Sequence, residues 1–453
     1  MVALLSLRRL LTYILIGIVL GTAVTSCPLQ AQQKLNFEHL RQQKFRIMPV
    51  SYGDWVENGD LFSSKEAIEA SFKAIHDYGS THIYWRLLWE GHPIDKMLFY
   101  GNNLQERNFR LKQPFEGTPY AWNPHEIRYP LEVAHKLGMK FYVWVSIYNE
   151  GAPPAVAGEY WYQSVFVYEH PEFQLVDRTG KRYYYGVLEW AYPQARKYWV
   201  DEIQEILDKY DVDGVYLDAR PEAICPETAD EFGFNDPVVK EYERRYGVNI
   251  LREDFDLEKW RALRGEYFTL LVKEISDRIH AKGKLFSLGI SRGDYIGYPV
   301  GNMKLEWRKW IEEKVIDYLH LDEYGHCSTS SLSAGLNPSA VQPYGFVTDY
   351  PTERGLKPLD VAVREDYGPL CHKHGVKLYF RCYPYQPRPI ENECCESRAT
   401  MNPKPVPPGW CQHLLEMPEI DGVDEVAPFF LSKMFPQWAV PRREQRRTYP
   451  LFK

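Results

Sequence analysis

The stretch PQARKYWVDEIQEILDKYDVDGVYLD, residues 193–218, carries the pattern that predicts the fold. Its first part, Pro193–Lys209, places apolar residues at the spacing of one helix face. Its last part, Gly214–Asp218, is a short apolar run that ends on a carboxylate, as in a strand buried on both sides. A helix followed at once by such a strand predicts one unit of a parallel α/β sheet.

The same alternation of strands and helices runs along most of the chain. Eight strands are predicted, at Phe45–Val50, His82–Leu87, Lys140–Ile147, Gly214–Asp218, Leu285–Ile290, Ile316–Leu321, Lys377–Cys382 and Gly422–Ala427. Helices are predicted at Ser64–Tyr78, His125–Leu137, Pro193–Lys209, Glu258–Lys282, Met303–Lys314, Leu359–His374 and Gly409–Met417. Several helices end on a glycine just before the next strand, which is typical of αβ turns: Gly79, Gly138, Gly283 and Gly375.

Eight such strands predict an α/β fold of the (β/α)8 TIM-barrel type, as a single domain with long βα loops. The alternative is an open doubly wound sheet, which usually carries a glycine-rich phosphate loop after its first strand; here that turn reads SYGDW, residues 51–55. The long connections, 151–192 and 219–257, both follow strands, as in a barrel whose site lies at the strand C-termini. The predicted division is a signal segment at 1–26, a linker at 27–39, the barrel at 40–440 and a basic tail at 441–453.

Alternate residues of a barrel strand face the helices or the interior. In the third strand Phe141, Val143 and Val145 share the apolar parity, so Tyr142 and Trp144 are predicted to point inward. Extended to all strands and their ends, this parity predicts a barrel mouth lined by Arg86, Glu90, Glu150, Asp218, Asp322 and Arg381, with Glu323 and Asp294 on adjoining loops. The alternative interpretation is that the two arginines only form structural ion pairs with these acids.

The N-terminal segment indicates export. Arg8 and Arg9 precede the apolar run 10–24, and small residues then lead to Cys27. VTSC at residues 24–27 resembles a lipobox in which Cys27 becomes a lipidated first residue, and cleavage near Ala31 without a lipid is the alternative. The predicted location is therefore outside the cytoplasm: periplasmic, anchored as a lipoprotein, or secreted.

Charge and cysteine content exclude several classes of protein. The net charge of −7 becomes −9 once the two signal-segment arginines are removed, and such an acidic chain argues against nucleic acid as a partner. Seven cysteines follow Cys27, and because this number is odd, at least one thiol should remain unpaired within the chain. No Cys/His spacing suggests zinc, and no cofactor is predicted.

Three motifs in order resemble a known family. They are HPEFQLVDRTGK at residues 170–181, WAYPQAR at 190–196 leading a helix, and VDGVYLDAR at 212–220. The series resembles bacterial glycosyl-hydrolase-like proteins, especially the family-10-like lipoproteins. The DG-to-Asp218 strand is also similar to the fourth strand of the α-amylase superfamily and of the α-galactosidase clan. That similarity implies that Asp218 is the catalytic nucleophile.

Two departures argue against the α-amylase mechanism. That superfamily has Arg two residues before the nucleophile, where this chain has Tyr216, and a Glu at the end of the fifth strand, where this chain reads GISR, residues 289–292. The α-galactosidase clan instead has its acid at the end of the sixth strand. This resemblance implies Asp322 as the acid, with Glu323 as its neighbour.

The predicted function is an exported glycoside hydrolase that uses two carboxylates, with Asp218 as nucleophile or base and Asp322 or Glu323 as acid. The residues predicted to bind an oligo- or polysaccharide, including an anionic one, are Arg86, Trp89, Glu90, Trp144, Tyr148, Glu150, Tyr216, Asp294, Arg381 and Tyr383. The competing hypothesis is a non-catalytic carbohydrate-binding barrel lipoprotein. A metal-dependent hydrolase is disfavoured because the first strand contains no HxH motif.

Overall fold

The computed structural model describes residues 44–50, 65–87, 96–99, 127–152, 162–219, 230–291, 293–294, 303–322, 359–382 and 416–425. Within these ranges eight parallel strands close into a barrel. In chain order they are β1 (Phe45–Val50), β2 (His82–Arg86), β4 (Lys140–Ser146), β9 (Gly214–Asp218), β10 (Leu285–Ser291), β11 (Tyr318–Asp322), β12 (Lys377–Cys382) and β13 (Gly422–Glu425). The predicted (β/α)8 barrel is thereby confirmed, and no predicted strand end differs from these by more than two residues.

The helices cover the outside of the barrel. They are α1 (Lys65–Tyr78), α2 (Arg128–Lys136), α3 (Val165–Glu169), α4 (Pro193–Lys209), α5 (Asp236–Tyr246), α6 (Leu257–Ala281), α7 (Trp307–Glu312), α8 (Leu359–Ala362) and α9 (Gly368–His374), with a π-helical turn at Val363–Tyr367 between the last two. In the part of the chain that the structure describes, no helix has the length and apolar character needed to cross a bilayer.

The loops that follow the strands contain small elements that the sequence patterns did not predict. β3 (Met97–Phe99), β5 (Gly151–Ala152) and β6 (Tyr162–Ser164) form a three-stranded sheet. A hairpin of β7 (Gln174–Val176) and β8 (Tyr183–Leu188) lies before α4. The connection after the fourth barrel strand contains α5. These insertions all lie at the C-terminal side of the barrel strands, where the long loops were predicted.

The predicted strand parity is confirmed. Phe141, Val143 and Val145 are wholly buried in the core between strands and helices. A separate cluster fills the barrel interior, and aromatic rings dominate it: Ile47, Tyr84, Tyr142, Trp144, Tyr216 and Tyr379. The barrel is therefore filled with side chains and leaves no open channel through this cluster.

Inward glycines make room for these rings. A Cβ atom on Gly214 would overlap the ring of Tyr142, and one on Gly422 would overlap the ring of Phe45. Each glycine sits on the strand beside the ring that occupies its space, because Tyr142 pairs in register with Gly214 and Phe45 pairs with Gly422. The aromatic interior therefore depends on glycines at matched heights of neighbouring strands.

The interior is arranged in layers, each built from alternate strands, as is usual for eight-stranded barrels. Tyr84, Tyr216 and His320 of the even-numbered barrel strands form one such layer, which we call the floor layer; the ring centres of Tyr84 and Tyr216 lie 4.9 Å apart, and Tyr216 hydrogen-bonds to His320. Two residues further along the same strands come Arg86, Asp218 and Asp322, which we call the rim layer. The rim layer is the last one that these strands carry, at their C-terminal ends.

The N-terminal face of the barrel contains a repeat that was not recognised in the sequence. Three residues that precede even-numbered strands, Asp213, Asp317 and Asp421, each accept a hydrogen bond from a strand N–H of the preceding barrel strand, at 2.8–2.9 Å. Each aspartate also hydrogen-bonds to the Nε2 atom of a histidine at the end of the helix that leads into that preceding strand. These histidines are His135, His280 and His372. The repeat is visible as HKLGMKF (135–141), HAKGKLF (280–286) and HKHGVKL (372–378).

The glycine of this H-x-x-G repeat ends each helix. Gly138, Gly283 and Gly375 have φ angles of 76°, 66° and 74°, in the left-handed region that favours glycine. The turn brings the histidine at the helix end back over the start of the strand.

Replacing Asp213 by Asn is expected to lower the free energy of unfolding by about 2 kcal/mol at neutral pH, because charged hydrogen bonds are lost. Burial acts to raise the pKa of Asp213, but the hydrogen bonds from Lys140 and from the Phe141 N–H outweigh it and hold that pKa below its ordinary value of 3.8. The stabilisation is therefore present above pH 3.8 and is lost as the pH falls through the lower folded-state pKa. Urea unfolding at about pH 7 and about pH 3 measures both parts.

Asp211→Asn is the matched control for this prediction. It removes the same charge two residues earlier, but the Asp211 side chain is 87% exposed and its partner is the surface residue Lys284. Little change in stability is expected from it. Equal losses in the two variants would contradict a specific role of the Asp213 contacts.

Candidate active site

Asp218 ends the fourth barrel strand, β9, and is wholly buried. It pairs in register with Ser146 of the third strand and with Gly289 of the fifth. Leu217 packs in the outer core and Tyr216 packs in the barrel interior, so Asp218 has the inward parity. The structure therefore places this carboxylate on the inside of the barrel at the C-terminal ends of the strands, where TIM-barrel active sites lie.

The rim layer contains three of the predicted site residues. Arg86, Asp218 and Asp322 are the last residues of the second, fourth and sixth barrel strands. Neighbouring strands lie about 4.8 Å apart, so backbones two strands apart in one layer are within about 10 Å of each other. Only the backbone of Asp322 is described, and the distance between its carboxyl group and that of Asp218 stays a prediction.

Arg86 supplies positive charge to the rim layer. Its guanidinium carbon lies 4.7 Å from the ring centre of Trp144, and its Nη2 donates a hydrogen bond to the hydroxyl of Ser146 at 3.3 Å. The side chain of Ser146 is buried and belongs to the residue that pairs with Asp218. Arg86 is therefore held one strand away from the residue pair that contains the candidate carboxylate.

Trp144, predicted to point inward and to bind the saccharide, lies in the barrel interior with 5% of its surface exposed. Arg86 lies over its ring, and Tyr216 packs against it at 5.7 Å between ring centres. Trp144 therefore helps to fill the barrel below the rim layer, and its contact with a sugar stays a prediction.

Tyr148 was predicted to point into the mouth and instead lies in the core between barrel and helices. Its hydroxyl accepts a hydrogen bond from Trp190 Nε1 at 3.0 Å, and its ring packs against Trp190 and Phe268. The prediction is wrong because the strand ends at Ser146. Beyond that residue the chain turns, and the two-residue alternation no longer assigns faces.

Glu150 also lies away from the barrel mouth, because it too follows the end of the strand at Ser146. Its backbone joins the loop insertions, with its N–H donating to Gly186 O at 3.0 Å and its carbonyl accepting from Ser164 at 2.6 Å. The carboxyl group lies wholly buried beside Tyr198 and Trp199 of α4, in the helix layer. Burial raises the pKa of Glu150 to about 8, so at neutral pH a protonated carboxyl helps to fill this loop junction.

Asp294, predicted to bind substrate, is used in structural contacts. Its Oδ1 atom accepts hydrogen bonds from Trp307 Nε1 and from Arg308, both at 2.8 Å. Its carbonyl accepts from the Leu305 N–H. These contacts fix the loop after the fifth barrel strand to the start of α7, and the arginine involved is neither of the two that were predicted to line the mouth.

Several predicted residues lie outside the described part of the chain, namely Trp89, Glu90, Glu323 and Tyr383. For Arg381, as for Asp322, only the backbone is described; it pairs in register with Asp424 of the eighth strand. Of the cysteines that follow Cys27, Cys371 has a described side chain, and it is a buried, unpaired thiol. Burial raises its pKa to about 12.

Ser146 and His320 were not among the predicted site residues. Both are inward residues of barrel strands, and their parity was assigned correctly, but neither carries the formal charge by which the mouth residues were chosen. His320 hydrogen-bonds to Tyr216 directly below the rim layer. Among the side chains that the structure describes, no group of three His, Cys, Asp or Glu is arranged to hold a metal ion.

Comparison with solved structures found distant likenesses. The chain is similar to the catalytic domain of β-amylase from Paenibacillus polymyxa, at 9% identity and a TM-score of 0.47, covering 88% of this chain and 99% of that one. The chain is 12% identical to α-L-fucosidase isoenzyme 2 from Paenibacillus thiaminolyticus, with a TM-score of 0.43, and the match covers 75% of this chain and 40% of that one. It is also 12% identical to an α-galactosidase from Geobacillus stearothermophilus in complex with raffinose, with a TM-score of 0.39, and the match covers 89% of this chain and 42% of that one.

The chain thus spans less than half the length of the fucosidase and galactosidase, and likenesses this distant do not identify an activity. No curated protein matches the sequence. The model of one protein family does match, over residues 126–343, a segment that runs from before α2 to beyond the sixth barrel strand and includes Asp218. The resemblance found in the sequence is therefore confirmed: residues 126–343 of this chain match the family glycosyl hydrolase-like 10.

Proposed function

We propose that this protein is a glycoside hydrolase in which Asp218 acts as nucleophile or base and a sixth-strand acid, Asp322 or Glu323, acts as proton donor. The observation that carries the proposal is the rim layer, in which Asp218 and Asp322 are the last residues of the fourth and sixth barrel strands. The match to the glycosyl hydrolase-like family supports the reaction class.

Two carboxyl groups suffice for this chemistry. One, protonated, donates to the leaving oxygen, and the other, ionised, attacks the anomeric carbon or activates a water molecule. A separation of about 5–5.5 Å between the carboxyl groups leads to retention, and one of about 6.5–9.5 Å to inversion. Crowding by the Asp218 carboxylate would keep the sixth-strand acid protonated at a higher pH than an isolated carboxyl, as a proton donor requires.

The proposed substrate is an oligo- or polysaccharide, and Arg86 favours one with an acidic group. Arginine presents a planar fork of donors that matches a carboxylate or sulfate. Its position over Trp144 and beside Ser146, the register partner of Asp218, holds the guanidinium near the end of the fourth barrel strand. An acidic substituent on the sugar would thereby lie across the barrel mouth from the reacting bond.

The test of the function is a screen of the purified protein on neutral and acidic polysaccharides and on aryl glycosides. Release of reducing ends or of aryl alcohol, lost in Asp218→Asn, is the expected result. Binding to a polysaccharide without any cleavage would favour the carbohydrate-binding barrel instead. An arrangement in which no acid lies within about 5–10 Å of the Asp218 carboxylate would also favour that alternative.

We also propose that the protein is exported and that its mature chain begins at Cys27 or a few residues later. We expect the protein recovered from the producing cells to lack residues 1–26, and to carry a lipid if Cys27 is the first residue. Its mass, measured by mass spectrometry, shows both. Cys27→Ser is the matched control, since it would abolish lipid-dependent processing but leave cleavage near Ala31 unchanged. Retention of residues 1–26 would contradict the proposal.

A further inference from the structure

The two strands of the proposed acid pair are joined one layer below the rim. Tyr216 and His320 each lie two residues before the strand-end position of Asp218 or Asp322. Both side chains are wholly buried, and the Tyr216 hydroxyl lies 2.6 Å from His320 Nδ1. This hydrogen bond connects the fourth barrel strand to the sixth across the fifth.

The fifth strand leaves space for this contact. Gly289 pairs in register with Asp218 on one side and with His320 on the other. A Cβ atom on Gly289 would overlap the Tyr216 hydroxyl and ring. Any other residue there would push Tyr216 away from His320, so the glycine and the hydrogen bond depend on each other.

The imidazole ring is fixed in orientation as well. It stacks on Tyr379 with ring centres 4.5 Å apart and planes 4° from parallel. The Tyr379 hydroxyl in turn lies 2.7 Å from the Ser287 hydroxyl and 3.3 Å from that of Tyr84. The stacked ring of Tyr379, and not its hydroxyl group, holds the plane of the imidazole, so the hydrogen bond to Tyr216 keeps one orientation.

We infer that Tyr216 and His320 form a positioning pair that fixes the separation of the two catalytic carboxyl groups. The inference rests on the proposed function, because it assigns the pair a role only if Asp218 and a sixth-strand acid react. The separation of the acids decides which mechanism operates, and a shift of about 1 Å in a reacting group can cost about a hundredfold in rate. A hydrogen bond directly beneath both strand ends resists such a shift.

The experiment compares two hydroxyl deletions at the same depth. Tyr216→Phe breaks the bridge between the fourth and sixth strands, and we expect kcat to fall about tenfold or more while KM changes by less than about twofold. Tyr379→Phe removes an equally buried hydroxyl from a layer of odd-numbered strands. It should lower the melting temperature by a similar amount and change kcat by less than about twofold.

A second pair of variants covers the case in which Tyr216→Phe does not fold. His320→Gln keeps a polar group for the Tyr216 hydroxyl and should retain more turnover than His320→Leu, with similar KM values in both. Equal losses of kcat in Tyr216→Phe and Tyr379→Phe would show a general effect of core softening and overturn the inference. Wild-type turnover in Tyr216→Phe, with turnover still lost in Asp218→Asn, would overturn it and leave the proposed function intact. A wild-type protein with no glycosidase activity would overturn both the proposed function and this inference.

Discussion

Replacing Asp218 by Asn is expected to lower kcat on aryl glycosides by about a thousandfold or more, because the nucleophile or base is lost while the shape of the side chain is kept. The fold and the binding of the saccharide should remain, since Asn fills the same buried position at the end of β9. Initial rates and an equilibrium binding measurement on the same preparation separate the two effects.

Asp213→Asn is the matched control, because Asp213 immediately precedes the same strand at the opposite end of the barrel. It should lower stability and leave kcat nearly unchanged, which is the reverse of the result expected at Asp218. Near wild-type turnover in Asp218→Asn would show that the assignment is wrong. Equal loss of activity in both variants would indicate that the strand, and not the carboxylate at its end, is what activity requires.

The acid on the sixth strand can be identified by how the effect of its replacement depends on the leaving group of the substrate. Replacing Asp322 or Glu323 by the corresponding amide is expected to slow substrates with poor leaving groups much more than activated aryl glycosides, which need little protonation. Only the true proton donor should give this dependence, so the comparison identifies which of the two acids it is. Equal effects on both kinds of substrate would argue against a role as proton donor.

Replacing Arg264 by Met is expected to lower the free energy of unfolding by about 3–5 kcal/mol, because it leaves the Glu189 carboxylate without its ion-pair partner in the core. The two side chains are each 2% exposed, and Arg264 Nε lies 3.4 Å from Glu189 Oε2. The pair connects α6 to the segment that leads from the β7–β8 hairpin into α4. Urea unfolding followed by circular dichroism measures the loss.

The loss should depend on pH. Burial raises the pKa of Glu189, although Arg264 opposes this, so folding already favours the protonated acid. Without Arg264 the pKa of Glu189 rises further. A group whose pKa is higher in the folded state destabilises the fold as the pH rises above its unfolded-state pKa. The loss of unfolding free energy in Arg264→Met should therefore be larger at about pH 8 than at about pH 5. The double variant Arg264→Met with Glu189→Gln should recover part of the stability, since no buried charge remains. A loss that is equal at both pH values, with no recovery in the double variant, would contradict the charge-based explanation.

The sequence predicted the features that follow from local periodicity. Buried barrel strands must alternate between helix-facing and inward residues, so a run such as Phe141–Ser146 assigns its own faces once it is recognised as a strand. Asp218 was found in this way, because its parity relative to Val215 and Leu217 is fixed by the backbone and its charge stands out in an apolar run. The four glycines expected at αβ turns all have positive φ angles, as such turns require.

The incorrect predictions concern residues that lie beyond the ends of strands. Tyr148 and Glu150 were assigned by continuing a two-residue alternation past Ser146, but the alternation is a property of extended backbone and stops with the strand. Asp294 was chosen for its charge and position near a strand end, and nothing local indicates that Trp307 and Arg308 lie close enough to bind it. Each of these contacts joins residues that are brought together only by the packing of loops on helices.

The sequence by itself therefore determined the barrel, the order of its strands and the candidate carboxylate, since these depend on periodicity and on the composition of short segments. Only the tertiary structure decided which inward residues share a height. Layers are set by the stagger between neighbouring strands, which no single strand encodes. The bridge from Tyr216 to His320 past Gly289 belongs to this second kind, because residues 104 positions apart meet only after the barrel has closed.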